Sequence, residues 1–286
     1  MLKSGGHSVS KVCEVLRIAR SSYYRKKSRE KIDLAQNKAI TQRDEKNEEL
    51  LRMIIEIKMH HPAWGYRRIR AFIKLKHLIP VSYNRVYRVM KANGLLLDVK
   101  RYKAKRRIQY SKPKPDRPNQ WWGTDMTKFY VNSVGWFYIV VIIDWYSKKI
   151  LGHKLSIRSK ADDWIEALNM AVQNNCPLGA REYNLNLMSD NGSQPTSIKY
   201  QTAIDLLKIN HVTTSYSNPK GNADTERFMR TFKEEVVYPN QFDTFEEAKE
   251  AVNNFIRFYN QDYPHSALGY LSPIEFEQQL TYKNAA

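Results

Sequence analysis

The order of predicted strands and helices after residue 119 is the feature that most restricts how this chain can fold. Three β-rich segments come first, WWGTDMTKFYV, GWFYIVVIID and KKILGHKL, and their spacing predicts an antiparallel meander. A helix, a fourth strand that ends at Asp190, another helix, a short strand and further helices follow. Adjacent strands combined with strands that are separated by helices favour an α/β domain built on a mixed sheet.

The helices of this region have recognisable boundaries. Ser159, followed three residues later by Asp162, predicts a helix start close to a capping box. Gly221-Asn222 precedes a helix that is predicted to extend to about Val237, and a last helix is predicted over roughly residues 244–260. Four tryptophans of this region are interpreted as core residues rather than as base-stacking platforms, and they are Trp121, Trp122, Trp136 and Trp164.

Positive charge is concentrated in the first two fifths of the chain. Residues 1–118 hold 31 Lys and Arg against 10 Asp and Glu, a net charge of +21, whereas residues 119–286 have a net charge of −3. A block of this size needs a polyanion to neutralise it, and nucleic acid is the usual one. The alternative from charge alone is a solvated, self-repelling surface. The sequence has no run of 18 apolar residues, so no membrane-spanning helix is expected.

Two basic helical segments precede the sheet region. Residues 8–27 predict two short helices joined by a turn, the pattern of a helix-turn-helix. A second such pair is predicted over WGYRRIRAFIKLK and SYNRVYRVMKANGLL, after a helix that ends at His61-Pro62. The density of arginine favours DNA contact over a solvated helix pair, and Trp64 is a further candidate for DNA contact. The arginines concerned are Arg67, Arg68, Arg70, Arg85 and Arg88.

These patterns divide the chain into five parts. Residues 1–45 and 46–98 are predicted to be two helical, DNA-binding regions, and residues 99–118 a basic linker with three prolines. Residues 119–262 are predicted to form the sheet-containing domain, and residues 263–286 a C-terminal tail. The linker is expected to be extended and to follow a phosphate backbone, with contacts from Lys105, Arg106 and Arg107.

Three acidic residues are candidates for a metal-dependent phosphodiester site. Asp125 lies inside a strand, where a carboxylate is costly unless it is paired or liganded. Asp190 follows a strand, and Glu226 lies in the first turns of a helix. Each has an ordinary alternative explanation, as an edge-strand residue, a turn residue or a helix-start glutamate. Two Mg²⁺ ions can activate one phosphodiester oxygen and stabilise the other, and they require such carboxylates in one cleft.

The helix that carries Glu226 has two distinct faces. Glu226, Arg230 and Lys233 share one face, at positions i, i+4 and i+7. An acid with two cations on one helix face suits a site beside a phosphate, and the same spacing also suits a surface salt bridge. The opposite, apolar face is expected to pack on the sheet and contains Phe228, Phe232 and Val236.

Several longer stretches occur together, in the order HHPAWGYRRI, WWGTDMT, VIIDWYSKKILG, SDNGSQ, SNPKGNADTERFMRTFKEE and YNQDYPHSALGYLSPIEF. With them the chain resembles the DDE transposases of bacterial insertion sequences that share the retroviral integrase core. The most similar type is the second-reading-frame protein of the two-frame insertion-sequence family. Thirty-five residues separate Asp190 from Glu226, the spacing for which this superfamily is known, and Lys233 follows Glu226 by seven. The resemblance covers nearly the whole chain.

This resemblance implies an α/β, RNase H-like fold, with a five-stranded mixed sheet and flanking helices after an all-α, helix-turn-helix-like N-terminal region. It implies that Asp125, Asp190 and Glu226 are catalytic and hold two Mg²⁺ or Mn²⁺ ions. The nucleophile would be water or a DNA 3′-hydroxyl. Lys233 and Arg230 would contact DNA near the cleaved phosphate.

The resemblance also implies the partners. The substrate would be double-stranded DNA, both the terminal inverted repeats of the element and the target, and joining two ends requires a homo-oligomer, at least a dimer, on DNA. A protein from the upstream reading frame is a further candidate partner, because in this family that frame supplies a helix-turn-helix and a coiled coil. No membrane partner is expected. The expected location is the bacterial cytoplasm, in association with the nucleoid.

Three positions depart from the family pattern. Met188 stands where histidine is usual, Pro195 where an aromatic residue is common, and Tyr263 where arginine usually precedes Pro-His. None of them removes a carboxylate of the triad. His265 is interpreted as a hydrogen-bonded helix-end histidine rather than a general base, because a two-metal site needs no protein base. Asp144 is assigned a structural or supporting part.

Two other functions are consistent with parts of the sequence. A DNA-binding protein with an inactive core would occupy element ends and repress, but the triad here is complete. An RNase H-like nuclease or junction resolvase would cut without joining, and the basic N-terminal region and the integrase-like motifs argue against it. The leading hypothesis is an enzyme that binds its element's terminal repeats, frees a 3′-hydroxyl by hydrolysis and transfers it into another phosphodiester.

Overall fold

The computed structural model describes residues 19–97, 113–214 and 222–285, together with residues 9 and 13. These residues form two compact units. The first unit is drawn from residues 1–60 and 84–96, and the second from residues 61–83 and 97–286. Within the described part of the chain, no helix is both long enough and apolar enough to cross a membrane.

The first unit contains one long helix, α1 (Arg20–His60). The prediction of a second short helix over residues 8–27, separate from a later helix, is wrong for the described residues, because the chain is helical without a break from Arg20. No glycine or proline occurs between residues 20 and 60, so the sequence has no helix-terminating residue there. The end of α1 before His61-Pro62 is as predicted. Most of the first predicted helix lies outside the described residues.

Two shorter helices follow, α2 (Tyr66–Lys76) and α3 (Tyr83–Ala92). Both were predicted from their apolar spacing. Almost all of α3 belongs to the first unit, where Arg85 donates its Nε–H to Oδ1 of Asn47 on α1 at 3.0 Å. It ends as predicted, because Gly94 adopts a left-handed φ of 66°. The buried face of α3 is also as predicted and consists of Val86, Val89 and Met90.

The second unit is built on the predicted mixed sheet of five strands. The first three strands form an antiparallel meander, and the last two pair in parallel with it, in the order β3-β2-β1-β4-β5. The strands are β1 (Trp121–Val131), β2 (Gly135–Asp144), β3 (Ile150–Ser156), β4 (Asn186–Ser189) and β5 (Asn210–Thr213). The first two match the predicted segments at both ends, because turn residues flank each of them.

Helices α4 to α8 connect or follow these strands. They are α4 (Ala161–Asn175), α5 (Ile198–Leu206), α6 (Ala223–Phe232), α7 (Phe245–Gln261) and α8 (Pro273–Ala285). A π-helical turn, Lys233–Val237, continues directly from α6. Two short 3₁₀ helices complete the described elements, Ala180–Tyr183 and Ser266–Leu268.

Packed helices cover both faces of the sheet. On one face, Trp122 and Ile142 lie in a buried cluster with Trp164 and Leu168 of α4. On the other face, Phe129 makes ring contacts with Phe232 and Phe242, and Phe137 with Phe245. Side chains alternate between the faces of a strand, so the residues of β1 that share a face with Phe129 include Asp125. The helix α6 therefore packs on the face that carries Asp125.

Two local predictions are wrong. The N-cap of helix α4 is Lys160, one residue later than the predicted Ser159. Oδ2 of Asp163 accepts the backbone N–H of Lys160 at 2.8 Å, which fixes the cap at that residue. Trp136 is not a core residue, since 50% of it is exposed, beside Tyr130 at the far end of the β1–β2 hairpin. The other predicted core tryptophans are fully or partly buried.

The segment predicted as a C-terminal tail contains a packed helix. Phe276 of α8 contacts the ring of Tyr146, and Glu277 pairs with Lys149 at 2.8 Å. These contacts attach α8 to the loop after β2. Apart from this difference, the predicted domain boundaries stay predictions.

Gly152 of β3 lies directly against the backbone of α4. A Cβ at this position would lie 2.3 Å from the carbonyl oxygen of Ala167 and 2.8 Å from the backbone nitrogen of Ala171. Both atoms are backbone and cannot rotate away, so Gly152→Ala should lower the free energy of unfolding by about 1–3 kcal/mol. Urea denaturation measures this change. A variant with unchanged stability would show that α4 and β3 are less closely packed than described.

Candidate active site

Asp125 lies in the middle of β1, opposite Val141 of β2. Its side chain is partly buried, and its Oδ1 accepts the N–H of Met126 at 2.7 Å. On the other side, β1 pairs with β4 only through residues 121–123. Asp125 therefore lies just beyond the end of that pairing, at the point where the two strands open.

Asp190 follows directly after β4, the parallel neighbour of β1. The register aligns Gly123 with Met188, and Asp125 and Asp190 each lie two residues further along their strands. Parallel strands in this register bring the two residues to the same level of the sheet. Asp190 is exposed, and its Oδ1 accepts the N–H of Gly192 at 3.1 Å in the predicted turn.

Glu226 is an exposed residue near the start of α6. The buried side chain of Asn222, which precedes α6, donates its Nδ2–H to the carbonyl oxygen of Thr124 at 3.0 Å. Thr124 is the neighbour of Asp125 in β1. This bond fixes the beginning of the helix next to the strand residue that carries the first carboxylate.

Gly123 allows α6 to approach β1 this closely. A Cβ at this position would lie 2.1 Å from Oγ1 of Thr225 and 2.3 Å from Nε1 of Trp145. These two side chains bond each other, because Trp145 donates its Nε1–H to Thr225 at 3.2 Å. Gly123, Asn222 and Thr225 were missed by the sequence analysis. The available signal was a glycine inside a strand, which often marks the close approach of another segment.

The three carboxylates influence one another electrostatically. Burial raises the pKa of Asp125 from an ordinary value near 3.8 to about 6, and the negative charges of Asp190 and Glu226 add to the rise. The Met126 N–H and the ammonium of Lys233 oppose it. Charged groups from the end of β4 and from α6 with its π-helical extension thus act together on the carboxylate of Asp125.

The chemistry of this group of side chains fits a divalent cation. Carboxylate oxygens are the ligands that magnesium prefers, and a cation would relieve the repulsion that raises the pKa of Asp125. Among the residues that the structure describes, however, no three His, Cys, Asp or Glu side chains are close enough together to hold a metal ion. Asp190 and Glu226 are exposed, so their side chains have room to move towards Asp125.

The two basic residues of α6 and its extension differ in exposure. Lys233 is partly buried, and its charge lowers the pKa of Asp125. Arg230 is exposed, one turn before Lys233. Arg230 lies on the helix that carries Glu226 and Lys233 on its π-helical extension, as predicted from their spacing.

The predicted DNA-binding arginines fall into two groups. Arg67 and Arg88 are exposed. Arg68, Arg70 and Arg85 are held by other protein groups: Arg70 donates its Nε–H to the carbonyl oxygen of Val81 at 2.9 Å, and Arg85 bonds Asn47. Lys105, Arg106, Arg107 and most of the predicted linker lie outside the described residues.

Arg68 and Trp64 are directed into the protein. The guanidinium of Arg68 lies 4.7 Å from the ring centre of Tyr263, and its Nε is buried. Trp64 is fully buried, so the prediction that it touches DNA is wrong. Its indole N–H bonds a carboxylate instead, at Oε1 of Glu235.

Asp144 has the structural part that the sequence suggested. It is 1% exposed, and it accepts backbone N–H groups of Asn119, Tyr146 and Ser147 at 2.7–2.8 Å. Burial raises the pKa of Asp144, and these bonds oppose the rise. The carboxylate thereby fixes the turn after β2 and the segment before β1.

His265 precedes a short 3₁₀ helix, as expected of a helix-end residue. Burial, followed by the charges of Lys148, Arg68 and Arg227, lowers the pKa of His265 to about 4. The imidazole is therefore neutral at pH 7. The expected side-chain hydrogen bond is not formed at Nδ1, which is buried with no partner among the described residues.

The three departures from the family pattern are all buried, namely Met188, Pro195 and Tyr263. Met188 lies in β4 and pairs with Val212 of β5. Tyr263 stacks on Tyr259 with ring centres 5.1 Å apart. Each residue therefore has a packing role in this structure.

The chain matches three protein-family models. An HTH-like domain matches residues 42–104, and two models described as integrase core domain match residues 115–219 and 207–273. The first match includes α2 and α3, and the other two include Asp125, Asp190 and Glu226.

The relatives with similar sequences match this chain over most of their length. The transposase for insertion sequence element IS904 of Lactococcus lactis is 30% identical over 248 residues, which is 80% of this chain and 94% of that protein. The transposase InsF for insertion sequence IS3A of Escherichia coli is 27% identical over 297 residues, 95% of this chain and 94% of that protein. The catalytic core domain of BIV integrase aligns with 59% of this chain and 99% of that chain, at 18% identity and a TM-score of 0.44.

The raised pKa of Asp125 predicts a pH-dependent effect on stability in metal-free buffer. The folded state disfavours the ionised carboxylate, so wild-type stability falls as the pH rises from about 4 through 6. Asp125→Asn removes this titration and should raise the free energy of unfolding at pH 8 by about 1–3 kcal/mol, with little effect at pH 4.

Urea denaturation at both pH values, with a chelator present, measures the difference. Asp205→Asn, which changes an exposed carboxylate on α5, is the matched control and should have no such effect. Equal stability of Asp125→Asn and wild type at pH 8 would contradict the assigned environment of Asp125.

Proposed function

The chain belongs to the insertion-sequence transposases that carry an integrase core domain, and from that premise we propose that Asp125, Asp190 and Glu226 are its catalytic carboxylates. The protein is a DDE-type polynucleotidyl transferase that cleaves DNA strands and transfers them at the ends of an insertion sequence. We propose which side chains carry out the cleavage and transfer steps.

The observation that carries this assignment is the shared electrostatic environment of Asp125. The charges of Asp190, Glu226 and Lys233 all act on its carboxylate, although Asp190 follows β4 while Glu226 and Lys233 lie on α6 and its π-helical extension. The close approach of α6 to β1 at Gly123 supports the third member of the triad, because it holds the helix of Glu226 beside the strand of Asp125.

Integrase core domains depend on divalent metal. In this chain the three carboxylates would hold the metal, and we propose two ions, Mg²⁺ or Mn²⁺, per site. When bound, the ions supply the positive charge that activates the attacking oxygen and stabilises the leaving oxygen. The exposed side chains of Asp190 and Glu226 would close on the partly buried Asp125, which is fixed by its strand.

The other groups of the site act on the DNA. Lys233 and Arg230 would bind phosphate oxygens on either side of the scissile bond, because both extend from the helix of Glu226. Binding there would align the phosphorus with the nucleophile, first water and then the freed 3′-hydroxyl. The neutral His265 takes no part in proton transfer in this scheme.

The N-terminal region would supply most of the affinity for DNA. It contains the match to an HTH-like domain and nearly all the excess positive charge of the chain. Arg67 and Arg88 are the described candidates for phosphate contact, and Lys105, Arg106 and Arg107 would add contacts beyond them. The substrates would be terminal inverted repeats and target DNA, bound by at least two copies of the chain, with an upstream-frame protein as a further partner.

The triad is tested by neutral, isosteric replacement. Asp190→Asn and Glu226→Gln should each reduce both strand cleavage and joining of element-end DNA in Mg²⁺ by on the order of 100-fold or more, because each removes one ligand charge. Glu250→Gln, an exposed change on α7, is the matched control and should retain activity. Gel analysis of cleaved and joined products measures both steps. Joining that survives either triad substitution would remove that residue from the site.

The two groups of arginines are separated by the salt dependence of DNA binding. Arg67→Ala should weaken binding to end DNA and reduce the slope of log K against log salt concentration by about 1, because one phosphate contact is lost. Arg70→Ala, three residues along the same helix, should leave the slope unchanged and lower stability, because Arg70 bonds Val81 and lies over Tyr83. Fluorescence anisotropy titrations measure the slope. Equal slopes for Arg67→Ala and wild type would exclude Arg67 from the DNA interface.

A further inference from the structure

The π-helical turn Lys233–Val237 begins at the basic residue of the proposed active site. The backbone N–H of Tyr238 bonds the carbonyl oxygen of Lys233 at 2.8 Å, five residues earlier, which is the hydrogen bond of a π-helix. This turn ends the helix, because the two residues that follow it form a non-helical turn. π-Helical turns are rare and are frequent at functional sites, so a tertiary interaction that stabilises this one is expected.

Glu235, in the middle of this turn, provides such an interaction. Only 4% of its side chain is exposed. Its Oε1 accepts the indole N–H of Trp64 at 2.7 Å, and its Oε2 lies 2.9 Å from Nδ1 of His61. An ionised carboxylate only accepts hydrogen bonds, so Nδ1 of His61 carries the proton. Both carboxylate oxygens are thus bound by the segment that precedes α2, and we name these three side chains the Glu235 clamp.

Aromatic stacking keeps the clamp rigid. The ring of His61 lies between Trp64, at 4.0 Å and 10° between planes, and Phe258 of α7, at 5.0 Å and 12°. Trp64 is fully buried, with 0% of its surface accessible. It also contacts Tyr263 edge-on, with ring centres 5.7 Å apart. Neither donor of the clamp can turn away from Glu235 without disrupting this stack.

The helix of Glu226 is therefore fixed at both ends. At its start, Asn222 and Thr225 bind β1 and the residue that follows β2. At its far end, Glu235 is bound by His61 and Trp64, the other two side chains of the clamp. The π-helical turn carries Glu235, so the second attachment is made within the turn itself. Lys233 is the first residue of that turn and lies between the two attachments.

We propose that Glu235 is a positioning residue, which holds the π-helical turn through His61 and Trp64 and thereby keeps Lys233 directed at the scissile phosphate. This role rests on the proposed function of Lys233. It gives the HHPAWG segment a task in the catalytic unit rather than in DNA recognition. Without the clamp this end of the helix loses its second attachment, and the ammonium of Lys233, two residues before Glu235, is no longer held beside the triad.

A double-mutant cycle with Lys233 tests the proposal. Glu235→Ala and Lys233→Ala should each reduce the rate of joining at saturating DNA, Glu235→Ala by on the order of tenfold. If Glu235 acts through Lys233, the double variant should be no slower than Lys233→Ala alone. The same cycle is measured on the affinity for end DNA in a chelator, where no metal-dependent step contributes. Losses that multiply in the double variant, or full activity of Glu235→Ala, would overturn the proposal.

Conservative replacements separate positioning from folding. Glu235→Gln can still accept from Trp64 and can donate to the other tautomer of His61, so it should restore activity to within about threefold of wild type. Ile204→Val, in the core on the opposite face of the sheet, is the control for a purely structural loss, and its effect should multiply with that of Lys233→Ala. If Glu235→Ala does not fold, Trp64→Phe, which removes one donor and keeps an aromatic ring, replaces it in the cycle with the same expected result.

The outcomes also separate this proposal from the one on which it rests. If wild type joins DNA and Asp190→Asn does not, but the cycle is multiplicative, only the positioning role fails. If Asp190→Asn joins DNA as well as wild type does, the proposed assignment of the triad fails, and the role of Glu235 fails with it.

Discussion

The proposed active site in the second unit depends on one close approach, that of the start of α6 to β1 at Gly123. No side chain separates the two elements there, and Thr225 occupies the space that a Cβ would need. Asn222 then reaches the carbonyl oxygen of Thr124, the residue before Asp125. The position of Glu226 relative to Asp125 is consequently set by short-range contacts with the strand backbone, while the position of Asp190 is set by the parallel register of β1 and β4. Two different kinds of contact, one between a helix and a strand and one between strands, bring the acidic residues together.

Much of the sheet could be predicted from the sequence, because strands β1 and β2 are rich in aromatic and β-branched residues and are bounded by turn residues. The long helix α1 could not be predicted in full. The turn predicted within residues 8–27 suggested a boundary, but the chain has no glycine or proline from residue 20 to residue 60 that would end a helix. The exposure of Trp136 was also hidden, since an apolar residue in a strand has the same pattern whether or not a helix extends far enough to cover it.

The identities of the acidic residues in the candidate site could be predicted, but their surroundings in space largely could not. Periodicity suggested the helix face shared by Glu226, Arg230 and Lys233, whereas the triad itself followed from resemblance to a family. The arginines of WGYRRIR look alike in the sequence, yet Arg67 is exposed while Arg68 is directed inward onto Tyr263. The adjacent Glu234 and Glu235 differ in the same way, because tertiary contacts with His61 and Trp64 distinguish the buried side chain of Glu235 from the exposed Glu234. Such differences arise from distant partners, which local sequence does not reveal.

The contact between Arg68 and Tyr263 has a consequence for exchanging parts between relatives. In this chain the phenol ring accepts the guanidinium on its face, in a region where Trp64 and Tyr259 also pack. An arginine at position 263, the residue that the resemblance leads one to expect, would set two like charges against each other in a place with little water to screen them. Positions 68 and 263 therefore form a contacting pair, so a C-terminal motif that is exchanged between relatives has to be compatible with the guanidinium of Arg68 as well as with its own neighbours.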